Sequence, residues 1–182
     1  MTDPEKNNST PRHHPMLSWW RVLHGADGAR PDRAALTELR RCTDPMDAFF
    51  VPAFHRLLRR YPRANHGRLA VAAIVLAHVK EHRDGSPVAR RIGPTTVAAD
   101  DAVVSEARFR RLLRAQGDDE LLRAMVRLVK MLKGGVNAVD LANSILYWGD
   151  SVRIRWAFSY FNAEEAAPAH PVLPGNHAIS LS

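Results

Sequence analysis

The chain of 182 residues has a single cysteine, Cys42. That excludes an internal disulfide and any zinc site built from cysteines, and it suits a reducing compartment. Long hydrophobic runs are also missing. The longest, LAVAAIVLA from Leu69 to Ala77, falls far short of the roughly 20 residues that span a bilayer. The start, MTDPEKNNSTPRHHP, is polar and carries no apolar signal core, so neither a membrane span nor export is expected and the expected location is cytoplasmic. No glycine-rich loop is present to cradle a phosphate; Gly134 and Gly135 read as a helix stop. No pair of carboxylates stands out for acid–base work, because the acids fall at helix starts or exposed positions. Nothing calls for a cofactor. Alternating strand pairs and fixed-period repeats are absent too, which leaves an all-α protein, a helical bundle.

The helical signals are frequent. Pro15 precedes a short aromatic helix, MLSWWRVLHG, closing at Gly25. Pro31 fits a first helical turn and opens PDRAALTELRRC. Asp44 and Pro45 start PMDAFFVPAFHRLLRRY, which Pro52 should kink or split. Leu69 to His82 reads as one strongly apolar, buried helix. Residues 83–104 read as irregular, and further helices are expected over Ser105–Gly117, Asp118–Gly134, Val136–Trp148 and from a Ser151 cap to Phe161. The expected organisation is a disordered extension over 1–15, an N-terminal helical lobe over 16–95, a C-terminal lobe over 96–162 packed on it, and a flexible tail over 163–182.

What stands out most is the shortage of acids where the arginines gather. The formal charge is +7 and the isoelectric point about 10.3, which points to a polyanionic partner. Between Ser105 and Gly135 the basic residues are Arg108, Arg110, Arg111, Arg114, Arg123, Arg127, Lys130 and Lys133. The acids there, Glu106, Asp118, Asp119 and Glu120, all sit in first turns, where they suit the helix dipole. Phe109, Leu112 and Leu113 share one helical face, and Leu121, Leu122, Met125, Val126, Leu128, Val129 and Leu132 another. Arg123, Arg127 and Lys130 form an i, i+4, i+7 ladder about 10 Å long. Arg33, Arg40 and Arg41 add another basic helix, and Arg56, Arg59, Arg60 and Arg63 one more. A genome rich in GC explains many arginines, but not the shortage of acids on the same faces. Contact with nucleic-acid phosphates is the favoured reading, salt-dependent and largely blind to sequence.

Competing chemistry is thin. His78-Val79-Lys80-Glu81-His82 matches H-x-x-E-H, and on a helix it would put two histidines on one face beside a glutamate. A metal-dependent hydrolase built on His78, Glu81 and His82 is therefore the alternative, although no third ligand is evident. Another is a stand-alone helical DNA- or RNA-binding protein, without a clear helix-turn-helix. Cys42 follows two arginines, yet no Cys-His-Asn set accompanies it. Trp20, Trp148 and Trp156 fit apolar helical faces; Trp19 fits either a core or a base-stacking platform.

In order along the chain, Trp19-Trp20-Arg21-Val22-Leu23, ALTELRR over Ala35–Arg41, Pro52-Ala53-Phe54-His55-Arg56-Leu57, SEARFRRLLR over Ser105–Arg114, Leu141–Trp148, and Arg155-Trp156 with Tyr160-Phe161 resemble the CasB family. That family is the small subunit of the type I-E CRISPR surveillance complex, Cascade. The landmarks cover about residues 16–161. The resemblance implies a two-lobed helical subunit with no catalysis of its own. It implies partners as well: other Cascade subunits, a second copy of the chain, CRISPR RNA, and target DNA with its displaced strand. A separately recruited helicase-nuclease does the cutting. Carried over by position, it implicates Arg41, Arg108, Arg111, Arg114, Arg127 and Arg153. With the ladder residues Arg123 and Lys130, and with Arg40, these make up the candidate nucleic-acid-binding set. One departure is Asn137 where the family tends to place an aspartate, with Asp140 three residues on.

Overall fold

Every residue from Leu69 to Ala77 is buried, and this segment lies within helix α4 (His66–His78), against which helices from both halves of the chain pack. A helix that is apolar all round must be covered on every side. In a computed structural model, which describes residues 14–96 and 99–162, α4 packs mainly on α7 (Gly117–Met131), α8 (Ala138–Leu146), a 3₁₀ helix (Pro45–Phe50) and α2 (Arg33–Arg41). Also present are α1 (Pro15–His24), α3 (Pro52–Leu58), α5 (Val88–Ile92), α6 (Glu106–Leu113) and α9 (Asp150–Tyr160). The protein is an all-α bundle, and one hydrophobic cluster runs from Met16 to Tyr160. No helix among the described residues is long and apolar enough to cross a membrane.

Local signals explain most boundaries. α1 ends on Gly25 at φ 69°, the left-handed cap that glycine allows. The split at Pro52 occurs as expected: Asp44 and Asp47 form a capping box on the 3₁₀ helix, and Pro52 opens α3. Asn137 caps α8 by accepting from Asp140 N, so an asparagine serves where an aspartate was anticipated. All four tryptophans are buried with their indole N–H groups satisfied. Trp19 donates to Ala53 O at 2.9 Å, which settles it as core, and Trp156 donates to Ser144 Oγ at 3.0 Å.

Several expectations need correction. α2 is capped by Asp32, which accepts from Ala35 N, so Pro31 lies before the helix rather than in its first turn. α9 starts at Asp150 after Gly149, leaving Ser151 inside it. Residues 83–104 contain α5, whose first amide, Val88 N, is held by the Asp140 carboxylate at 2.8 Å. The buried helix stops at His78 rather than His82. Glu81–His82 (β1) instead pairs in parallel with Gly135–Val136 (β2), so α8 starts only at Ala138. The cause is tertiary. α7 ends through Lys133 and Gly134, at φ 56° and 83°, and the freed Gly134 carbonyl accepts from Lys80 N at 2.8 Å and Glu81 N at 3.2 Å. The expected extension over 1–15, apart from its last two residues, and the tail over 163–182 lie outside the described residues.

Candidate nucleic-acid interface

Helix α7 buries Leu121, Leu122, Met125, Leu128 and Val129, and this turns Arg123, Arg127 and Lys130 outward. α4 carries α7 on one side and α2 on another, and the last turn of α2 brings Arg40 across to face the ladder. Together these cations border a groove of about 490 Å³, whose wall includes His78, Leu122 and Val126, with Thr43, Asp44 and Asp119 also lining it. None of Arg123, Arg127 and Lys130 enters an ion pair among the described residues.

Arg40 is held rather than free. Its Nε donates to the Ala77 carbonyl at 2.7 Å, at the C-terminal end of α4 where a cation is favoured. That bond fixes the guanidinium and leaves its terminal nitrogens for the groove. His78 is half-buried in the groove wall. Burial first, then the positive charges of Lys130 and Arg40, push its pKa down to about 4, so it is neutral at neutral pH.

The remaining candidates are distributed differently. Arg41 is exposed at the end of α2 and does not line the groove. Arg108, Arg111 and Arg114 are exposed on and after α6, outside the groove and without ion pairs among the described residues. Their neighbour Arg110 is paired with Glu106. Arg153 is occupied: Nη2 donates to Ala115 O at 2.9 Å, Nη1 meets Asp150 at 3.3 Å, and the guanidinium lies over Trp148. The sequence reading missed Asp119, Asp44 and Thr43 as groove residues, and it considered His78 only as a ligand of the alternative metal site. The only available signal was Asp119 standing one turn before Arg123.

The H-x-x-E-H segment does not form the helical face a metal site of that type needs. His82 Nδ1 accepts from Ala138 N at 3.1 Å, and its Nε2 lies 2.9 Å from Asp84. Glu81 is held by Arg83, at 2.7 Å. Among the described residues no group of three or more His, Cys, Asp or Glu is placed to hold a metal ion. At Cys42, burial first and then the charge of Asp47 push the thiol pKa up, the opposite of an activated nucleophile.

Fold and groove therefore define a small all-helical protein that gathers unpaired cations along one surface. Its residues 35–161 match the family model of CRISPR-associated protein Cse2. The chain belongs to that family. No curated protein sequence matches it. Chains of several solved structures share its fold, among them these two. One is a chain of the crystal structure of E. coli Cascade bound to a PAM-containing dsDNA target, with TM-score 0.62, 18% identity, and 82% of this chain and 96% of that one covered. The other is CasB from Thermus thermophilus, with TM-score 0.60, 22% identity, and coverage of 81% and 96%.

Proposed function

We propose that this protein is the non-catalytic small subunit of a type I-E CRISPR RNA-guided surveillance complex, Cascade. In that role it stabilises the opened target DNA and its displaced non-target strand during antiviral defence in the cytoplasm. It works beside the other subunits and a second copy of itself, with 16–95 and 96–162 as its two lobes. The observation that carries this reading is the convergence of Arg40, Arg123, Arg127 and Lys130 on one groove of a chain from this family. The exchange of a DNA duplex for an RNA–DNA hybrid is nearly balanced in energy, so a basic surface that holds the released strand tips it toward opening. Arg108, Arg111 and Arg114 add exposed positive charge outside the groove.

The test is fluorescence anisotropy with labelled single-stranded DNA across a salt series. Four groove cations predict that log affinity falls with log salt at a slope of about −3, at roughly 0.7 per phosphate neutralised on a single strand. In the assembled complex, charge reversal at Arg108, Arg111 and Arg127 should lower permanganate reactivity of the displaced strand. Circular dichroism should stay unchanged, because these side chains lie opposite the buried faces. A flat salt response, or equal permanganate footprints, overturns the reading.

A further inference from the structure

The arginines of α3 and of the loop after it take no part in the groove. Residues 48–80 contain no aspartate or glutamate. Of the arginines there, Arg56 pairs with Asp32 at 2.9 Å and Arg68 with Asp118 at 3.1 Å. Arg59 and Arg63 are exposed and form no ion pair among the described residues. Arg60, also exposed, spends one terminal nitrogen on Pro15 O at 3.3 Å. Helix α8 brings an aromatic side chain to the same place. It starts beside the C-terminal end of α4, where Ala138 N donates to His82 Nδ1, and packs along α4. Its far end, Tyr147, therefore arrives near Tyr61 in the loop that leads into α4. Burial pushes the Tyr61 pKa up; a Met16 backbone group opposes this, the Tyr147 hydroxyl adds to it and Arg60 counters it, so the four are neighbours.

We propose that Tyr147, Arg59 and Arg63 form a second site for a single strand, in which a base stacks on the tyrosine ring while the flanking phosphates lie against the arginines. Tyr147 is 68% exposed and makes no hydrogen bond and no ring contact among the described residues. Its neighbour Trp148 is buried and donates to Ala115 O at 3.3 Å, which anchors the backbone beneath the open ring and beside the exposed Arg114. An acidic protein surface would answer the arginines alone. A duplex offers phosphates but keeps its bases stacked on one another. A single strand answers both the charge and the ring, because every base has a flat face that an aromatic side chain can cover. The site is separate from the groove and goes beyond the reading above. None of Tyr147, Arg59 and Arg63 lines the groove, whose His78 is the last residue of α4. The loop that holds Tyr61 enters α4 at His66, about 18 Å away along the helix axis at 1.5 Å per residue.

The experiment uses the full chain with a short oligodeoxynucleotide carrying photoreactive iododeoxyuridine. It compares wild type with a groove variant, Arg123→Glu with Arg127→Glu. Irradiation should crosslink the strand to Tyr147 in both proteins, as located by mass spectrometry of the digest. In the groove variant, adding Tyr147→Ala should weaken single-strand binding about tenfold, the loss of one stacked base. Tyr147→Trp should keep that binding, and neither change should alter binding of a blunt duplex. Arg59→Glu with Arg63→Glu should remove the crosslink. A wild type that binds the strand without crosslinking at Tyr147 overturns this proposal and leaves the groove standing. A crosslink that vanishes in the groove variant overturns it as well, since the two sites are then one. Tyr147→Ala protein that is folded by circular dichroism and binds the strand as tightly as its parent also overturns it. If that protein fails to assemble with the other Cascade subunits, the surface belongs to a protein partner instead. Absence of any strand binding in the wild type overturns both readings together.

Discussion

Gly93 occupies a position where space, not backbone conformation, demands glycine. Its φ of −77° is open to any residue. A β-carbon there would collide with the carbonyl oxygen of Tyr160 and come within 3.0 Å of its carbonyl carbon. Neither side can give way easily. The Tyr160 ring stacks on Phe109 at 4.0 Å, and its hydroxyl donates to Val104 O at 2.7 Å. On the other side the Pro94 carbonyl is held by Arg90 at 2.9 Å. Gly93→Ala should therefore destabilise the fold by about 2 kcal/mol, as overpacking of a tight contact does. A fall in Tm of about 4–8 °C by differential scanning calorimetry is the expected reading. An unchanged Tm would mean that the contact is looser than described. The Gly93–Pro94 pair was legible as a loop signal, but its steric role was not, because Tyr160 lies far along the chain.

The C-terminus of α4 shows how an element is finished by others. The carbonyls of a last helical turn lack partners within the helix, and this end is partly covered by protein. His24 of α1 lies 3.2 Å from Leu76 O, Arg40 of α2 donates to Ala77 O, and Trp20 of α1 donates to Val79 O at 3.0 Å. Arg40 thus does double work, as a cap and as a groove cation. Arg40→Ala should cost about 1–2 kcal/mol of stability as well as binding, because a carbonyl loses its charged donor. Arg127→Ala should stay within about ±0.5 kcal/mol, because its side chain is exposed. Urea midpoints of the two variants check this, and equal midpoints would show that the Arg40 bond contributes nothing. Apolar patterning identified this helix but ran it on to His82. The partner that ends it, the Gly134 carbonyl, belongs to the turn after α7 and leaves no mark in the local sequence.

For the whole molecule, the continuous core has a direct consequence. α4, from the N-terminal half, packs most heavily on α7 and α8, from the C-terminal half. Asn162, just after α9, also reaches back to the Pro94 and Thr95 carbonyls, at 3.4 and 3.3 Å. Two halves that share one core should unfold together. Variants that keep either Trp19 and Trp20 or Trp148 and Trp156, with the other pair changed to phenylalanine, give a fluorescence report on each half. Coincident urea midpoints by fluorescence and by circular dichroism within each variant are expected. Separate transitions within one variant would show that the halves fold on their own.

By itself the sequence determined the all-α class, the buried α4, the outward α7 ladder and the family. Each of these follows from local periodicity, from capping residues or from landmarks in linear order, and none needs a distant partner. Only the tertiary structure decided which cations meet. Arg40 and the ladder of Arg123, Arg127 and Lys130 converge because α4 holds α2 and α7 on neighbouring sides, and no local pattern encodes that packing. The same holds for Arg153, whose guanidinium is taken up by Ala115 and Asp150, and for the H-x-x-E-H segment, which a backbone pairing pulls out of helical form. Asp119 read as a helix-start acid in the sequence. In the folded protein it is an open carboxylate in a basic groove, a role conferred by the helix across from it.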